Sequence, residues 1–206
     1  MNVLAIDTAG WICSVALWQE GQEVSFREER YDREQSAFLP RLVQEVIGQH
    51  KIDQILVNIG PGSFTGIRLG IAFAKGLSIA WGIPLKGLDS FKATYANLES
   101  AEDVLVLIEA RRVDVFAQRF VNHLAQEPES LTRQEIEKIL LSANPPLLAG
   151  SGVHPFLEGL VLKEALPLRQ GAQQLAYAFF KAPESFSEAL PFYLREADVT
   201  CVPSRS

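Results

Sequence analysis

The sequence predicts an α/β protein of two lobes, with a mixed five-stranded sheet in the first lobe. Three observations lead to this fold class. Strand-like and helix-like segments follow one another in the order βββαβαβα over residues 1–100. A second series of strands and helices fills residues 101–206. The 206 residues, 48% of them hydrophobic, are enough for two lobes of about 100 residues each.

The chain opens with three short strands. Residues 3–8, 12–18 and 24–30 are runs of strand length and composition, and Glu20-Gly21 between the last two is typical of a hairpin turn. Strands with such short connections pair in antiparallel fashion. We therefore expect these three strands to form a meander.

A helix and two further strands complete the first lobe. Residues 35–48 carry apolar side chains at helical spacing, and residues 55–59 and 84–88 have the composition of buried strands. Asp89 is placed to cap a short helix after the last of these strands. The resulting order matches the first lobe of a ribonuclease H-like fold, in which helices flank a mixed five-stranded sheet.

The second lobe is predicted to hold two strands, a capped helix, a third strand that ends in a glycine turn, and a last helix. These elements are expected, in order, at residues 104–109, 113–121, 132–141, 147–152 and 170–181. The tail from Pro183 is expected to be extended.

The segment GPGSFTGIRLGIAFAKGLSIAW at residues 60–81 combines a tight loop with a helix. The glycines and Pro61 favour a turn, and Ser63 can cap the helix that follows. Four small residues recur along this helix at a spacing of four and therefore form one row. They are Gly66, Gly70, Ala74 and Ser78.

This helix is apolar over most of its circumference. Its charged residues, Arg68 and Lys75, lie seven residues apart on one narrow stripe. Such a helix needs cover on two sides, one of which is its own sheet and the other a second helix, domain or chain. We expect the row of small residues to admit a neighbouring backbone, so that leucine at Gly70 disrupts helix pairing and leaves the monomer folded. The alternative is a glycine-rich helix inside the core of one domain.

Composition and charge exclude several classes of protein. The two charges and the glycines interrupt the apolar helix, so the roughly 20 apolar residues of a membrane span never occur in one run. A net charge of −6 argues against direct binding to nucleic-acid phosphates, so any nucleic acid is expected to be held by a partner. Cys13 and Cys201 lack metal-ligand spacing, and residues 1–10 lack the pattern of a secretion signal. We expect a cytoplasmic protein.

Few residues are placed for catalysis. The glycine-rich loop lacks the G-K-[ST] of a P-loop and the Rossmann spacing, the three histidines form no ligand pair, and Ser63 has no G-x-S-x-G setting. Asp7, at the end of the first strand, is a weak cofactor-binding candidate, because actin-like ATPases place a carboxylate there near Mg²⁺ and the phosphates. The AGSG turn at residues 149–152 is a candidate for a second phosphate turn. The competing interpretation is an aspartate that caps its own turn.

Two segments carry a resemblance to a known family. VLAIDTAGWICSVALW at residues 3–18 and GPGSFTGIRLGIAFAKGLS at residues 60–78 resemble the TsaB family, also called YeaZ, a bacterial subunit for threonylcarbamoyladenosine biosynthesis. Weaker similarity occurs at residues 109–116 and at PFYLR, residues 191–195. The resemblance implies a two-lobed actin-like (ASKHA) fold and a role in adding threonylcarbamoyl to adenosine 37 of tRNAs that read codons beginning with A.

The resemblance also implies a subunit without catalytic activity. The catalytic relative, TsaD, has an H-x-x-x-H metal pair where this chain carries Ser90 and Thr94, which are poor metal ligands. No metal or cofactor is then expected on this chain alone, whereas ATP and Mg²⁺ are expected with the assembled complex. The implied partners are a TsaD-like catalytic subunit, a TsaE-like ATPase and, in isolation, a second copy of the chain. Contact with tRNA is expected to be indirect.

The family resemblance also implies an interface. Helices that match residues 35–48 and 64–81 pack, in this family, against the same pair on a homodimer mate or on the catalytic subunit. The residues expected at this interface are Phe38, Leu42, Val46, Gly66, Ile67, Gly70, Ile71, Ala74 and Ser78. Relatives often carry a histidine where this chain has Gln35, so a contact made by that histidine would be altered here.

Three functions stay open at this point. The leading one is a noncatalytic scaffold subunit of the tRNA-modifying complex. The second is an autonomous actin-like ATPase or kinase, based on Asp7 and the glycine turns. The third is a metallopeptidase, and the missing histidine pair counts against it.

Overall fold

The computed structural model describes residues 1–30, 35–98, 102–110, 113–158, 164 and 167–195. The predicted boundary between the lobes, at residues 100 and 101, lies outside these residues, so the division into 1–100 and 101–206 stays a prediction.

The first sheet has five strands. In chain order they are β1 (Asn2–Asp7), β2 (Ile12–Gln19), β3 (Gln22–Arg30), β4 (Gln54–Asn58) and β5 (Leu85–Leu88). Their spatial order is β3-β2-β1-β4-β5, in which β1, β2 and β3 pair antiparallel and β4 pairs parallel with both β1 and β5. The predicted meander and the mixed sheet are confirmed.

Three helices belong to this part of the chain. They are α1 (Gln35–Ile47), α2 (Phe64–Trp81) and α3 (Ser90–Tyr95). The predicted caps are confirmed, because Oγ of Ser63 accepts a hydrogen bond from the backbone N of Gly66 and Oδ1 of Asp89 accepts one from the backbone N of Lys92. Gly82, with φ of 64°, ends α2 in the left-handed conformation that glycine adopts at little cost.

The two faces of the first sheet are covered by different helices. Side chains of α1 and α2 form one core with the inward side chains of β1, β2 and β4. The opposite face is covered by α6 (Ala172–Lys181), which enters a second core with Val3, Trp18 and Leu56. Thus α6 follows the second sheet in sequence but packs on the first sheet.

The second sheet contains β6 (Asp103–Glu109), β7 (Asp114–Val121), β8 (Leu124–Ala125), β9 (Glu129–Thr132) and β10 (Leu147–Ala149). Its strand order is β10-β6-β7-β8, and β9 also pairs with β7. The helices α4 (Arg133–Leu140) and α5 (Val153–Leu157) pack on it, and α3 covers its other face through Phe91. The strands β8 and β9 and the helix α5 were not predicted.

After α6, the tail of the chain runs along the edge of the first sheet. A 3₁₀ turn at Pro183–Ser185 leads to Ser187, which exchanges two backbone hydrogen bonds with Gly87 in the edge strand β5. Further along, the backbone N of Phe192 donates to the carbonyl of Ile59 at 2.7 Å. The tail therefore lies along the edge of the first sheet. In the described part of the chain, no helix has the length and apolarity needed to cross a bilayer.

Candidate partner-binding site

The glycine-rich loop before α2 is held by two other parts of the chain. The backbone N of Ser63 donates to the carbonyl of Ala9 at 2.6 Å, and a Cβ atom on Gly62 would come closer than 3.0 Å to that carbonyl oxygen. On the other side, a Cβ atom on Gly60 would lie 2.5 Å from the carbonyl oxygen of Phe192. These glycines allow the close packing of the loop, which supports a structural rather than a catalytic role for it.

The row of small residues on α2 faces the first sheet of the same chain. Oγ1 of Thr8 donates to the carbonyl of Gly66 at 2.7 Å, and a Cβ atom on Gly70 would come closer than 3.0 Å to that Oγ1. Ala74 is fully buried, and Ser78 is half-buried and donates to the carbonyl of Ile83. The expectation that this row admits a backbone from another chain is therefore wrong, because β1 and β4 already occupy that space.

The predicted apolar contacts on α1 and α2 also belong mainly to the core. Leu42, Val46, Ile67 and Ile71 are all at most 5% exposed and pack with the inward side of the first sheet. Phe38 is half-buried, and its ring lies 5.6 Å from the guanidinium carbon of Arg41. Of the nine residues predicted at the interface, only Phe38 and Ser78 keep appreciable exposure. The side chain of Gln35 lies outside the described residues.

A second row of small residues lies on the outer side of α2. Ala72, Gly76 and Ala80 are all exposed and also recur at a spacing of four. A Cβ atom on Gly76 would have no neighbour within 4 Å. Ile79, between the last two, is 83% exposed, and Trp81 is 40% exposed. We call this surface, formed by Ala72, Gly76, Ile79, Ala80 and Trp81, the outer face of α2.

The small residues of the outer face can also be seen in the sequence, but they do not stand out there. Both rows have the same spacing, and α2 is apolar on nearly every side, so periodicity alone does not distinguish the row that faces the sheet. The structure shows which row faces inward, because the hydroxyl group of Thr8 donates a hydrogen bond to the carbonyl of Gly66 in the first row.

Asp7 lies at the end of β1 and is buried. Its Oδ2 accepts a hydrogen bond from Nδ2 of Asn58 at 2.9 Å, and its Oδ1 accepts one from the backbone N of Ala9 at 2.9 Å. Burial raises the pKa of the Asp7 carboxyl group above its ordinary value, while these two hydrogen bonds partly lower it. Each oxygen accepts one hydrogen bond from within the chain, so the geometry favours an aspartate that caps its own turn over a Mg²⁺ ligand.

A half-open cavity of about 340 Å³ lies beside the AGSG turn. It is lined by Trp11, Glu109, Ala110, Asp114, Val115, Gly152, Pro155 and Phe156. The carboxylate of Glu109 would repel the phosphates of a nucleotide there. The turn itself packs on β6, because a Cβ atom on Gly150 would come closer than 3.0 Å to the carbonyl oxygen of Leu107. These features do not fit a second phosphate turn.

Ser90 and Thr94, which the resemblance predicts to stand in place of a metal-binding histidine pair, are both buried. Oγ of Ser90 lies within hydrogen-bond distance of two acceptors, Oδ1 of Asn58 at 3.0 Å and the carbonyl of Pro61 at 2.9 Å, and Thr94 is 4% exposed. Within the described ranges, no group of three or more His, Cys, Asp or Glu residues is arranged to hold a metal ion.

Comparison with known proteins identifies the family. A family model described as TsaD, tRNA N6-adenosine threonylcarbamoyltransferase, matches residues 32–143. The tRNA threonylcarbamoyladenosine biosynthesis protein TsaB of Escherichia coli (strain K12) is 30% identical over 95% of this chain and 95% of its own length. The chain belongs to the TsaB family.

Solved structures agree with this assignment. YeaZ from Pseudomonas aeruginosa superposes with a TM-score of 0.71 at 25% identity, covering 94% of this chain and 99% of its own. A ROK family protein from Streptococcus pneumoniae has a TM-score of 0.50 at 10% identity, covering 89% of this chain and 99% of its own. The second match shows the fold alone, which confirms the two-lobed actin-like architecture of this TsaB-family chain.

Proposed function

We propose that this TsaB-family chain is a noncatalytic scaffold subunit. In this proposal it binds a TsaD-like catalytic subunit and supports the addition of threonylcarbamoyl to adenosine 37 of tRNAs that read codons beginning with A. The supporting observations are the membership of the family, the internal use of Asp7 and Ser90, and an apolar helix face that none of the described residues covers.

The outer face of α2 is the observation that carries the proposal. Small residues at a spacing of four let a second helix approach closely, and Ile79 is 83% exposed between two of them. A large exposed side chain within a row of small, apolar neighbours loses its contact with water when a partner packs there. This surface therefore replaces the inward row as the proposed contact on α2.

A group of charged residues lies on the exposed side of α1, where this helix packs over β3. Arg41 pairs with Glu29 in β3 and lies 3.8 Å from Glu45, and Arg27 lies 3.7 Å from Glu45. Phe38, which stays half-exposed next to Arg41, is the residue of α1 retained in the proposed contact.

The proposal includes the composition of the complex. ATP and Mg²⁺ act with the assembled complex and not with this chain alone, and a TsaE-like ATPase joins the complex. In isolation the same apolar face holds a second copy of the chain. A net charge of −6 favours indirect contact with tRNA through the partner.

Binding measurements with matched variants test the proposed surface. Ile79→Asp places a charge in the centre of the outer face, and Leu124→Asp makes the same kind of change at a site that is 73% exposed on β8. Calorimetric titration with the TsaD-like subunit should show at least a roughly tenfold loss of affinity for Ile79→Asp, because a buried charge without a partner is costly. Leu124→Asp should bind as the unchanged chain does. Equal affinities for the two variants would contradict the proposed surface.

A further inference from the structure

Arg68 lies on the second turn of α2, and its guanidinium group is held by two aromatic side chains. The guanidinium carbon is 3.7 Å from the centroid of the Phe64 ring, and Nε donates to Oη of Tyr193 at 3.0 Å. The rings of Phe64 and Tyr193 are themselves 4.8 Å apart. The three side chains form one cluster, which we call the Arg68 cluster.

The tail of the chain holds Tyr193 in place on both sides. Before it, the backbone N of Phe192 donates to the carbonyl of Ile59. After it, Arg195 forms an ion pair with Asp114 of β7. The chain is therefore held one residue before and two residues after Tyr193, which fixes the position of the acceptor for Nε of Arg68.

Arg68 has no acidic partner among the described residues. Its side chain is exposed, and among the residues that the structure describes no carboxylate lies within ion-pair distance of it. Five other arginines do pair with carboxylates. They are Arg27, Arg41, Arg119, Arg133 and Arg195.

The stacked guanidinium group leaves the N–H groups of both Nη atoms for a ligand. Nε is used by Tyr193, and the described residues accept no hydrogen bond from either Nη atom. A guanidinium group offers parallel N–H donors that match the two oxygens of one carboxylate. Stacking on Phe64 removes part of the rotational freedom that Arg68 would otherwise lose on binding.

We propose that the Arg68 cluster binds the carboxylate of an aspartate or glutamate side chain on the catalytic partner. This inference rests on the proposed function, because it takes the partner to cover α2. A phosphate of nucleic acid is the less favoured ligand, since such binding depends on clustered positive charges and this chain carries a net charge of −6. The cluster adds a directional polar contact to the apolar outer face of α2.

Three variants of the cluster test the proposal by calorimetric titration with the catalytic subunit. Arg68→Gln removes the charge, Arg68→Lys keeps the charge without the paired donors, and Tyr193→Phe keeps the ring without the acceptor for Nε. Arg30→Gln, at the exposed end of β3, is the control for the loss of one positive charge. Thermal unfolding of every variant, followed by circular dichroism, checks that each remains folded.

The expected losses of affinity are graded. Arg68→Gln should weaken binding by roughly 10- to 100-fold, as is usual for a hydrogen-bonded charge at an interface. Arg68→Lys should recover little of this loss, and Tyr193→Phe should lose a smaller part of the affinity than Arg68→Gln. Arg30→Gln should change the affinity by less than about twofold. The affinity of the unchanged chain should also depend more steeply on salt concentration than that of Arg68→Gln.

Two results would overturn the inference and leave the proposed function intact. One is an Arg68→Gln variant that binds the catalytic subunit as the unchanged chain does, while Ile79→Asp still shows its loss of affinity. The other is unchanged affinity of Arg68→Gln for the catalytic subunit together with a loss of tRNA binding by the assembled complex, which would assign a phosphate to Arg68. A catalytic subunit that does not bind the unchanged chain at all would contradict the proposed function itself.

Discussion

Gly70 of α2 and Thr8, directly after β1, lie against each other so closely that a Cβ atom on Gly70 would come within 3.0 Å of Oγ1 of Thr8. Thr8 is fully buried, and the same Oγ1 donates to the carbonyl of Gly66. A hydroxyl group held by the helix backbone cannot move away without losing a buried hydrogen bond. This contact therefore sets the distance between α2 and the first sheet.

Substitution of Gly70 and of Gly76, two of the three glycines of α2, should have opposite effects on stability. Gly70→Ala should lower the free energy of unfolding by about 1–3 kcal/mol, because the added methyl group overlaps Thr8. At Gly76 the new Cβ would meet open space. Gly76→Ala should therefore raise the free energy of unfolding by up to about 1 kcal/mol, because alanine has the higher helix propensity. Urea unfolding of both variants measures the difference. Equal changes would mean that the inward row does not face the sheet. For the same reason, leucine at Gly70 should unfold the monomer, contrary to the expectation from sequence.

A pair of glycines outside the helices tests the contact between the loop and the tail. Gly60 and Gly48 both have positive φ, at 104° and 51°, but only Gly60 has close neighbours, the carbonyl oxygen of Phe192 and Cδ1 of Ile67. Gly60→Ala should therefore cost more than Gly48→Ala, by at least about 1 kcal/mol. It should also speed the proteolytic cleavage of the tail after Pro183. Similar stabilities and cleavage rates for the two variants would contradict the described packing of the tail.

The contribution of Asp7 to the free energy of unfolding should depend on pH. Burial raises the pKa of this carboxyl group in the folded protein above the unfolded value, so the folded state binds the proton more tightly. The contribution of Asp7 to stability is therefore greatest below the unfolded pKa and is lost as pH rises through the folded pKa. The free energy of unfolding of the unchanged chain, minus that of Asp7→Asn, should increase as pH falls from neutral toward about 4. A difference that stays constant or decreases would contradict the burial of Asp7.

Cys13 should be inert in the folded protein. It is fully buried, and desolvation, with smaller effects from Asp7 and Glu29, raises the pKa of its thiol to about 12. In a Cys201→Ser variant, a thiol-reactive chromogenic disulfide should therefore label Cys13 only after denaturant is added. Rapid stoichiometric labelling in native buffer would show that β2 is open to solvent.

Much of the first lobe could be predicted from the sequence because its signals are local. The strands β1 to β3, the hairpin at Gly21, and the caps at Ser63 and Asp89 each depend on residues within a few positions of one another. The inward side of α2 was predicted wrongly because its orientation depends on Thr8, which is 58 residues from its acceptor Gly66.

Other contacts between distant parts of the chain could not be predicted from the sequence either. The hydrogen bond of Arg68 joins residues 125 positions apart, and no periodicity reports it. The return of α6 to the first sheet is another case, since its amphipathic pattern does not say which sheet it covers. The strand β8 has two residues and β9 has four, and such short segments carry little signal of their own.

Reconstitution of tRNA modification tests the scaffold proposal most directly. The reaction would contain a TsaD-like catalytic subunit, a TsaE-like ATPase, ATP, Mg²⁺, a threonylcarbamoyl donor and unmodified tRNA, with this chain added or omitted. We expect threonylcarbamoyladenosine, measured by mass spectrometry of the digested tRNA, only when the chain is present, and reduced product with Ile79→Asp. Equal product with and without the chain would contradict the scaffold role.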